Sequence, residues 1–172
     1  MRNLFVLLLT VMSINSFAQF DNYFIDKTLR FDYYHSGNHE EDFYSFDEMI
    51  EEPFWGGSKT NLIDTFKFGK YFLKVFSVKN DSLIYSRGYS TLFGEWQTTL
   101  ESKKVWRTFS ESVVFPYPKD SVRIELYSRS WDGNFEKKFN YLIDPNNPYI
   151  KKGRRMVYPT FRAKNSGDPA NN

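Results

Sequence analysis

The sequence predicts an all-β protein, built as a single antiparallel β-sandwich of about seven to nine strands. Segments in which apolar and polar residues alternate recur along the chain, and turn-forming residues separate them. The 12 Tyr and 18 Phe suit the pleated, half-buried surface of a sheet. The length of 172 residues is typical of one domain that can bury a sizeable core.

The first predicted hairpin joins the strands Tyr23–His35 and Phe43–Ile50. Apolar residues occupy alternate positions of the first strand, and Ser36-Gly37-Asn38 is a turn pattern. A loop follows at Pro53–Ser58, where two adjacent glycines permit a close approach of another backbone segment.

The second predicted hairpin consists of Tyr71–Val78 and Leu83–Tyr89, which are rich in aromatic and β-branched residues and flank a turn at Asn80-Asp81. Val105–Phe115 is the next predicted strand. It ends where Pro116 removes a backbone hydrogen-bond donor.

The third predicted hairpin joins Ser121–Ser128 and Phe135–Ile143 through a turn at Asp132-Gly133. The alternation in its first strand points three residues inward, namely Val122, Ile124 and Leu126. It points three others outward, namely Arg123, Glu125 and Tyr127. In the return strand it places four residues on one face, namely Phe135, Phe139, Tyr141 and Ile143.

Both ends of the chain differ from the sandwich, which we predict at residues 19–150. Residues 1–18 have the pattern of a signal peptide, because Arg2 precedes an apolar segment and Ser16-Phe17-Ala18 fits the cleavage rule. The apolar segment is about half as long as a membrane span requires. We therefore expect a secreted, periplasmic or cell-surface protein without a membrane span. Residues 151–172 are rich in breakers and polar residues, and we interpret them as a linker-like tail.

Charge and cysteine content exclude several classes of function. The chain has 23 Lys and Arg against 21 Asp and Glu, a formal net charge of +2, so we expect no nucleic-acid partner. It contains no cysteine, which excludes a disulfide framework, a thiolate zinc site and a cysteine nucleophile. We expect no cofactor and no metal ion.

The stretch Leu83–Thr99 gathers polar and aromatic residues that are costly to place in a β domain unless they are paired. Two interpretations remain open. In the first, the stretch is a structural corner in which Arg87 pairs with Glu95 and Trp96 packs in the core. In the second, the same three residues belong to a binding site or an interface.

The two histidines, His35 and His39, flank the predicted first turn. With the acidic residues that follow, they could form a weak cation site, or they could lie at a solvated hairpin tip. A Glu follows His39, but no second His completes the H-E-x-x-H pattern of zinc peptidases. Two histidines beside one turn also make serine catalysis improbable. We assign no catalytic residue.

Four tryptophans, Trp55, Trp96, Trp106 and Trp131, could stack on sugar rings or pack in the core. Trp131 lies at a predicted turn. It is therefore the residue that we most expect to be exposed and available for stacking.

Several stretches together resemble the amino-terminal domain of a known family. They are Thr28–Gly37 (TLRFDYYHSG), Pro53–Asp64 (PFWGGSKTNLID), Leu83–Thr99, Arg107–Lys119 (RTFSESVVFPYPK) and Asp144-Pro145. The family is the IgA-peptidase family of secreted zinc metallopeptidases from Bacteroidetes (metallopeptidase family sixty-four). The resemblance implies a β-sandwich that precedes a zinc catalytic domain. This sequence has no H-E-x-x-H helix, so no zinc ligand or catalytic Glu is assigned to it.

The resemblance implies a non-catalytic accessory domain that packs on a catalytic domain or helps to present a protein substrate. We expect the chain to be a truncated or split gene product and not an enzyme in its own right. The alternative is a standalone carbohydrate- or surface-binding module, for which a glycan would be the partner. If the chain is such an accessory domain, we interpret Leu83–Thr99 as a structural corner that could face the catalytic domain.

Overall fold

In the computed structural model, which describes residues 20–130, 132–153, 159 and 161, two four-stranded sheets pack face to face. The strands of the described part are β1 (Phe24–Gly37), β2 (Asp42–Glu52), β3 (Tyr71–Ser77), β4 (Leu83–Tyr89), β5 (Arg107–Pro118), β6 (Val122–Arg129), β7 (Phe135–Ile143) and β8 (Lys151–Lys152). Their orders are β5-β1-β2-β8 and β4-β3-β6-β7. All pairs are antiparallel except β2 with β8, which is parallel. The predicted all-β sandwich is confirmed.

The core lies between the two sheets and follows the alternation of the sequence. In β1, Leu29, Phe31 and Tyr33 are fully buried. The ring of Phe31 meets two rings of the opposite sheet, with centroids 6.2 Å from Phe139 and 5.3 Å from Tyr141. The predicted inward residues of β6 are all buried as well. The alternation of apolar and polar residues with a period of two therefore predicted correctly which residues of these strands face the core.

A β-bulge in β7 overturns one predicted face. Leu126 pairs with Phe139, but the next residue of β6 pairs with Lys137, so Lys138 is an extra residue. The bulge moves Phe135 to the opposite face from Phe139. There Phe135 packs on Phe72, with ring centroids 5.1 Å apart. The same bulge leaves Lys138 on the inner side, where its ammonium reaches the other sheet.

Glu125 lies on the outer face of β6 as predicted, but it is buried, with an exposed fraction of 5%. Arg123 Nε and Lys137 Nζ each lie 3.2 Å from its Oε1, and the Tyr127 hydroxyl donates to its Oε2. Burial alone would raise the pKa of Glu125, but these donors outweigh burial and lower it. Long neighbouring side chains therefore cover a carboxylate that the alternation alone would expose.

The first hairpin turns later than predicted, and this difference positions the site. β1 continues to Gly37, and the Asn38 backbone N–H donates to the Glu41 carbonyl at 3.0 Å. The Asn38 side chain also accepts from the backbone N–H groups of Glu40 and Glu41. A Cβ at Gly37 would lie 2.2 Å from the Glu41 oxygen, so only glycine fits there. His35 consequently lies within the strand and not at a solvated tip.

The last described strand ties the chain to the first sheet. β8 pairs with Ile50 and Glu51 of β2, and the Gly153 backbone N–H donates to the Glu51 carbonyl at 2.8 Å. β8 falls within the segment predicted as a tail, and the boundary at residue 150 stays a prediction. The predicted signal peptide and its predicted cleavage site lie outside the described residues, as do Trp131 and most of the predicted tail.

Candidate functional site

His35 forms a buried ionic centre with two carboxylates from the neighbouring strands. Its side chain is fully buried. Its Nδ1 lies 3.0 Å from Glu111 Oε2 of β5, and its Nε2 lies 3.0 Å from Asp42 Oδ2 of β2. β1 runs between these two strands, and each carboxylate is a diagonal neighbour of His35 on the same face. The sheet register therefore brings the three residues together.

Aromatic rings close the ionic centre on the remaining sides. The ring of Phe93 stacks on the imidazole at 3.8 Å between centroids, and the ring of Tyr44 stacks at 4.2 Å. Tyr71 meets it edge-on at 5.3 Å. Phe93 belongs to the short helix Leu92–Trp96, and its backbone N–H donates to Glu111 Oε1 at 3.0 Å. Glu111 therefore holds both the imidazole and the helix that covers it.

The hydrogen bonds require a positively charged imidazole. An ionised carboxylate only accepts hydrogen bonds, so both ring nitrogens of His35 must carry a proton. Burial by itself lowers the pKa of His35, but the bonds to Asp42 and Glu111 outweigh burial and raise this pKa. Burial likewise raises the pKa of each carboxylate, but the bond to His35, the other hydrogen bonds and the nearby positive charge together outweigh burial, so both pKa values are lowered.

Lys138 completes the charge balance of the centre from the opposite sheet. Its Nζ lies 3.4 Å from Asp42 Oδ1. The carboxylates of Asp42 and Glu111 then face two cations, and Lys138 Nζ also lies 3.6 Å from the more exposed Glu136 Oε2. Because Lys138 is the bulged residue of β7, the irregularity in that strand supplies the fourth charge. The Tyr44 hydroxyl also donates to Asp42 Oδ2, at 3.2 Å.

This arrangement is suited to holding strands together and not to chemistry on a substrate. A general base must reach the proton that it removes. Both nitrogens of His35 are occupied, and the side chains of Asp42 and Glu111 are each only 6% exposed. Among the residues that the structure describes, no group of three or more His, Asp or Glu is arranged to hold a metal ion. His39 lies apart from the centre, with its Nδ1 3.2 Å from the Gln97 carbonyl oxygen.

Sequence reasoning missed this centre, although a signal for it was present. His35 continues the alternation of Leu29, Phe31 and Tyr33, so it belongs to the inner face of the strand. Extending that alternation by two residues would have placed the imidazole in the core. Its carboxylate partners are separated from it by 7 and 76 positions in the chain. No short motif marks such a set.

The stretch Leu83–Thr99 forms strand β4 and then the short helix. Trp96 is buried, at 8% exposure, and packs on Phe93 and Phe109 as the structural interpretation expected. Its Nε1 donates to Glu101 Oε2 at 2.8 Å. The expected ion pair of Arg87 with Glu95 is not formed. Both side chains are exposed, because the chain turns into a helix between them.

Arg87 lies at the mouth of a cleft where the two sheets part. It is paired with Leu73 of β3 in the register, and the edge strands β4 and β5 face each other across the opening. The cleft has a volume of about 520 Å³ and is lined by Arg87, Leu92, Glu111, Val114 and their neighbours. The same carboxylate, Glu111, thus borders the cleft and binds His35.

The tryptophans divide into buried and exposed positions. Trp55 is 8% exposed and packs edge-on against Tyr85, and its Nε1 donates to the Ser58 carbonyl at 3.0 Å. Trp106 is 54% exposed, and its ring stacks on Phe43 with centroids 5.9 Å apart. Trp106 therefore lies outside the core, unlike Trp55 and Trp96. Trp131, which we predicted to be exposed, lies outside the part of the chain that the structure describes, so its exposure stays a prediction.

The fold and the site together define an all-β sandwich domain that contains a buried ionic centre. A family model described as Peptidase M64 N-terminus matches residues 19–140, which is well over half of the chain. The chain therefore belongs to this family, as its resemblance to the amino-terminal domain of these peptidases indicated. No curated protein matches the chain. Among the described residues, no helix is long and apolar enough to cross a membrane.

Proposed function

We propose that this chain is a non-catalytic domain that supports the catalytic domain of an M64 peptidase. The observation that carries the proposal is the closed state of the ionic centre. Its imidazole has no free nitrogen, and protein groups cover its carboxylates. The histidine and the two acids of this centre are bound to one another, so the centre stabilises the fold and presents no accessible acid or base for catalysis.

The proposed partner is the peptidase catalytic domain, which the family name implies in the same polypeptide. The sandwich would pack on that domain or help to present its protein substrate. Export through the segment at residues 1–18 is part of the proposal, since a secreted peptidase acts on proteins outside the cell.

The glycan-binding alternative is not proposed. It rests on a row of exposed tryptophans, because sugars stack on flat, accessible faces. Trp55 and Trp96 are buried, and the face of Trp106 is partly covered by Phe43. None of the described tryptophans therefore belongs to such a row.

Zinc content and peptidase activity of the purified chain test the proposal. We expect substoichiometric zinc by elemental analysis and no cleavage of a protein substrate, with or without added zinc. A full-length M64 peptidase assayed in parallel is the positive control. Stoichiometric zinc, or cleavage that a chelator abolishes, would overturn the non-catalytic assignment. A second experiment measures whether this chain binds an M64 catalytic domain that is produced separately. The proposal requires that the two bind.

A further inference from the structure

We infer that the surface centred on Arg87 is the face that docks the peptidase catalytic domain. This inference rests on the proposed function and adds the location and chemistry of the contact. We define the Arg87 face by six residues: Phe54, Phe66, Phe68, Arg87, Leu92 and Val114. They come from β4, β5, the short helix and the segment that joins β2 to β3.

Arg87 is shared by three neighbouring depressions in the surface. The first is the cleft between the edge strands, of about 520 Å³. The second, of about 300 Å³, lies beside Phe54 and shares Val114 with the cleft. The third, of about 790 Å³, lies beside Phe66 and Phe68. One arginine therefore stands at the centre of a continuous, indented surface.

Large apolar side chains surround this arginine and point to solvent. Phe54 is 61% exposed, Phe66 77%, Phe68 74% and Leu92 67%. The rings of Phe66 and Phe68 lie nearly parallel, with centroids 5.8 Å apart, and form one apolar pair. Contiguous exposed apolar groups around an arginine are the composition of a protein interface, in which aromatic residues and Arg are enriched.

The face is held in place before any partner binds. Asp64 accepts hydrogen bonds from the backbone N–H groups of Gly88, Phe66 and Lys67, at 2.8, 2.9 and 3.0 Å. A Cβ on Gly88 would lie 1.8 Å from the Phe68 carbonyl oxygen, so the segment with both rings presses directly on β4. A preorganised surface loses less conformational entropy on binding, which favours docking.

The contact is made by side chains and not by strand addition to β4. The Ser86 backbone already donates to the Leu62 carbonyl at 2.9 Å and accepts from the Asp64 N–H at 3.3 Å. The β4 edge is therefore occupied at this point. A partner meets the guanidinium and the rings instead.

The charges of the face specify a partner that brings a carboxylate. Within the described residues Arg87 forms no direct ion pair; its guanidinium interacts with the Tyr85 hydroxyl, and its charge helps to lower the pKa of Asp64, whose carboxylate is engaged by three backbone donors. An apolar surface that carries one accessible guanidinium complements an apolar surface that carries one Asp or Glu.

The path of the chain brings the following domain to this face. β8 runs parallel to β2 and ends beside Glu51, and Gly153 lies next to Glu52. Glu52 lines the same depression as Phe54 and Arg87. The family description places this domain N-terminal to the catalytic domain, and Gly153, at the end of the last described segment, neighbours a residue that lines the Arg87 face.

Binding of this chain to an M64 catalytic domain, produced as a separate protein, tests the inference by biolayer interferometry. The titration extends to about 1 mM, since domains tethered in one chain can have weak intrinsic affinity. The test variants are Arg87→Glu and the double variant Phe66→Ser with Phe68→Ser. The controls are Lys103→Glu, which makes the same charge change elsewhere, and Leu142→Ser, at a residue 64% exposed on β7.

We expect each test variant to weaken binding about tenfold or more, as interface hot spots do. The controls should stay within about twofold. Binding of the wild-type chain should also weaken with added salt, because a charge pair is screened. Circular dichroism confirms that each variant is folded.

Three results would contradict the inference in different ways. Wild-type binding that both test variants leave unchanged overturns the Arg87 face but leaves the proposed function standing. No binding by the wild-type chain overturns the proposed function and the inference with it. A dimer of this chain that Arg87→Glu dissociates, seen by analytical ultracentrifugation, would make a second copy the occupant and overturn the inference.

Discussion

Replacing His35 by Gln tests the ionic centre most directly. Gln has no positive charge and cannot donate to carboxylates on both sides, so Asp42 and Glu111 lose their shared cation. Their side chains are only 6% exposed, so water cannot replace the imidazolium. Removing one partner of a buried ion pair costs about 3–5 kcal/mol of unfolding free energy. Lys138 still neutralises part of the Asp42 charge, so we expect a loss near the lower limit, about 3 kcal/mol at pH 6.

The pH dependence separates lost charge from lost packing. The raised pKa of His35 stabilises the fold fully below the ordinary histidine value, and this contribution is lost as the pH rises through the folded-state pKa. The lowered pKa values of Asp42 and Glu111 stabilise the fold above ordinary carboxyl values, and this contribution is lost as the pH falls through the folded-state values. Wild-type stability from the centre is therefore greatest between about pH 4.5 and 6.5.

In the His35→Gln variant the two carboxylates can protonate once the cation is gone. The difference in unfolding free energy between wild type and variant should therefore shrink as the pH falls from 6 to 4. Urea unfolding followed by circular dichroism at pH 4, 6 and 8 measures it. His39→Gln, made outside the centre, is the control and should cost about 1 kcal/mol or less. A His35→Gln cost below about 1 kcal/mol at pH 6, or an equal cost at pH 4 and 6, would refute the ionic account.

Three further predictions concern the surroundings of the site, and urea unfolding at pH 7 measures each. Arg87→Ala and Glu95→Ala should have additive effects to within about 0.5 kcal/mol, because the two side chains form no pair, and a larger coupling would show that they touch in solution. Gly37→Ala should cost about 1–3 kcal/mol, since its Cβ has no space in the first turn, and a neutral result would mean that the turn can rearrange. Trp96→Phe should lower the free energy of unfolding, because the smaller ring leaves a cavity beside Phe93 and Phe109, and retention of full stability would mean that the site closes around the smaller ring.

The strands were predictable because period-two alternation and turn residues are local properties. Phe135–Ile143 was predicted with the bounds that the structure shows. The prediction for the face of Phe135 was wrong because a bulge depends on the pairing with the partner strand. The sequence of one strand does not reveal that pairing. β8 was missed because a strand of two residues has no periodicity to detect.

The site was less predictable than the fold because its partners come from distant parts of the chain. The alternation places Asp42 and Glu111 on particular faces, but it does not say which histidine each will meet. The Arg87–Glu95 pair failed for the opposite reason. Closeness in sequence suggested a contact, and the helix between the two residues prevents it.

The ionic centre also protects the alignment of the strands that contribute to it. A slip of one residue in β1 would turn His35 to the outer face and leave Asp42 and Glu111 buried beside apolar rings without their shared cation. The same slip in β2 or β5 would remove one carboxylate and leave the imidazolium short of a partner. Purely apolar faces would tolerate such an error more easily, because Leu, Phe and Tyr can exchange places at modest cost. Four charges that balance in only one alignment make misaligned sandwiches electrostatically unfavourable. We therefore expect the domain to fold into one arrangement even though its core is dominated by interchangeable aromatic rings.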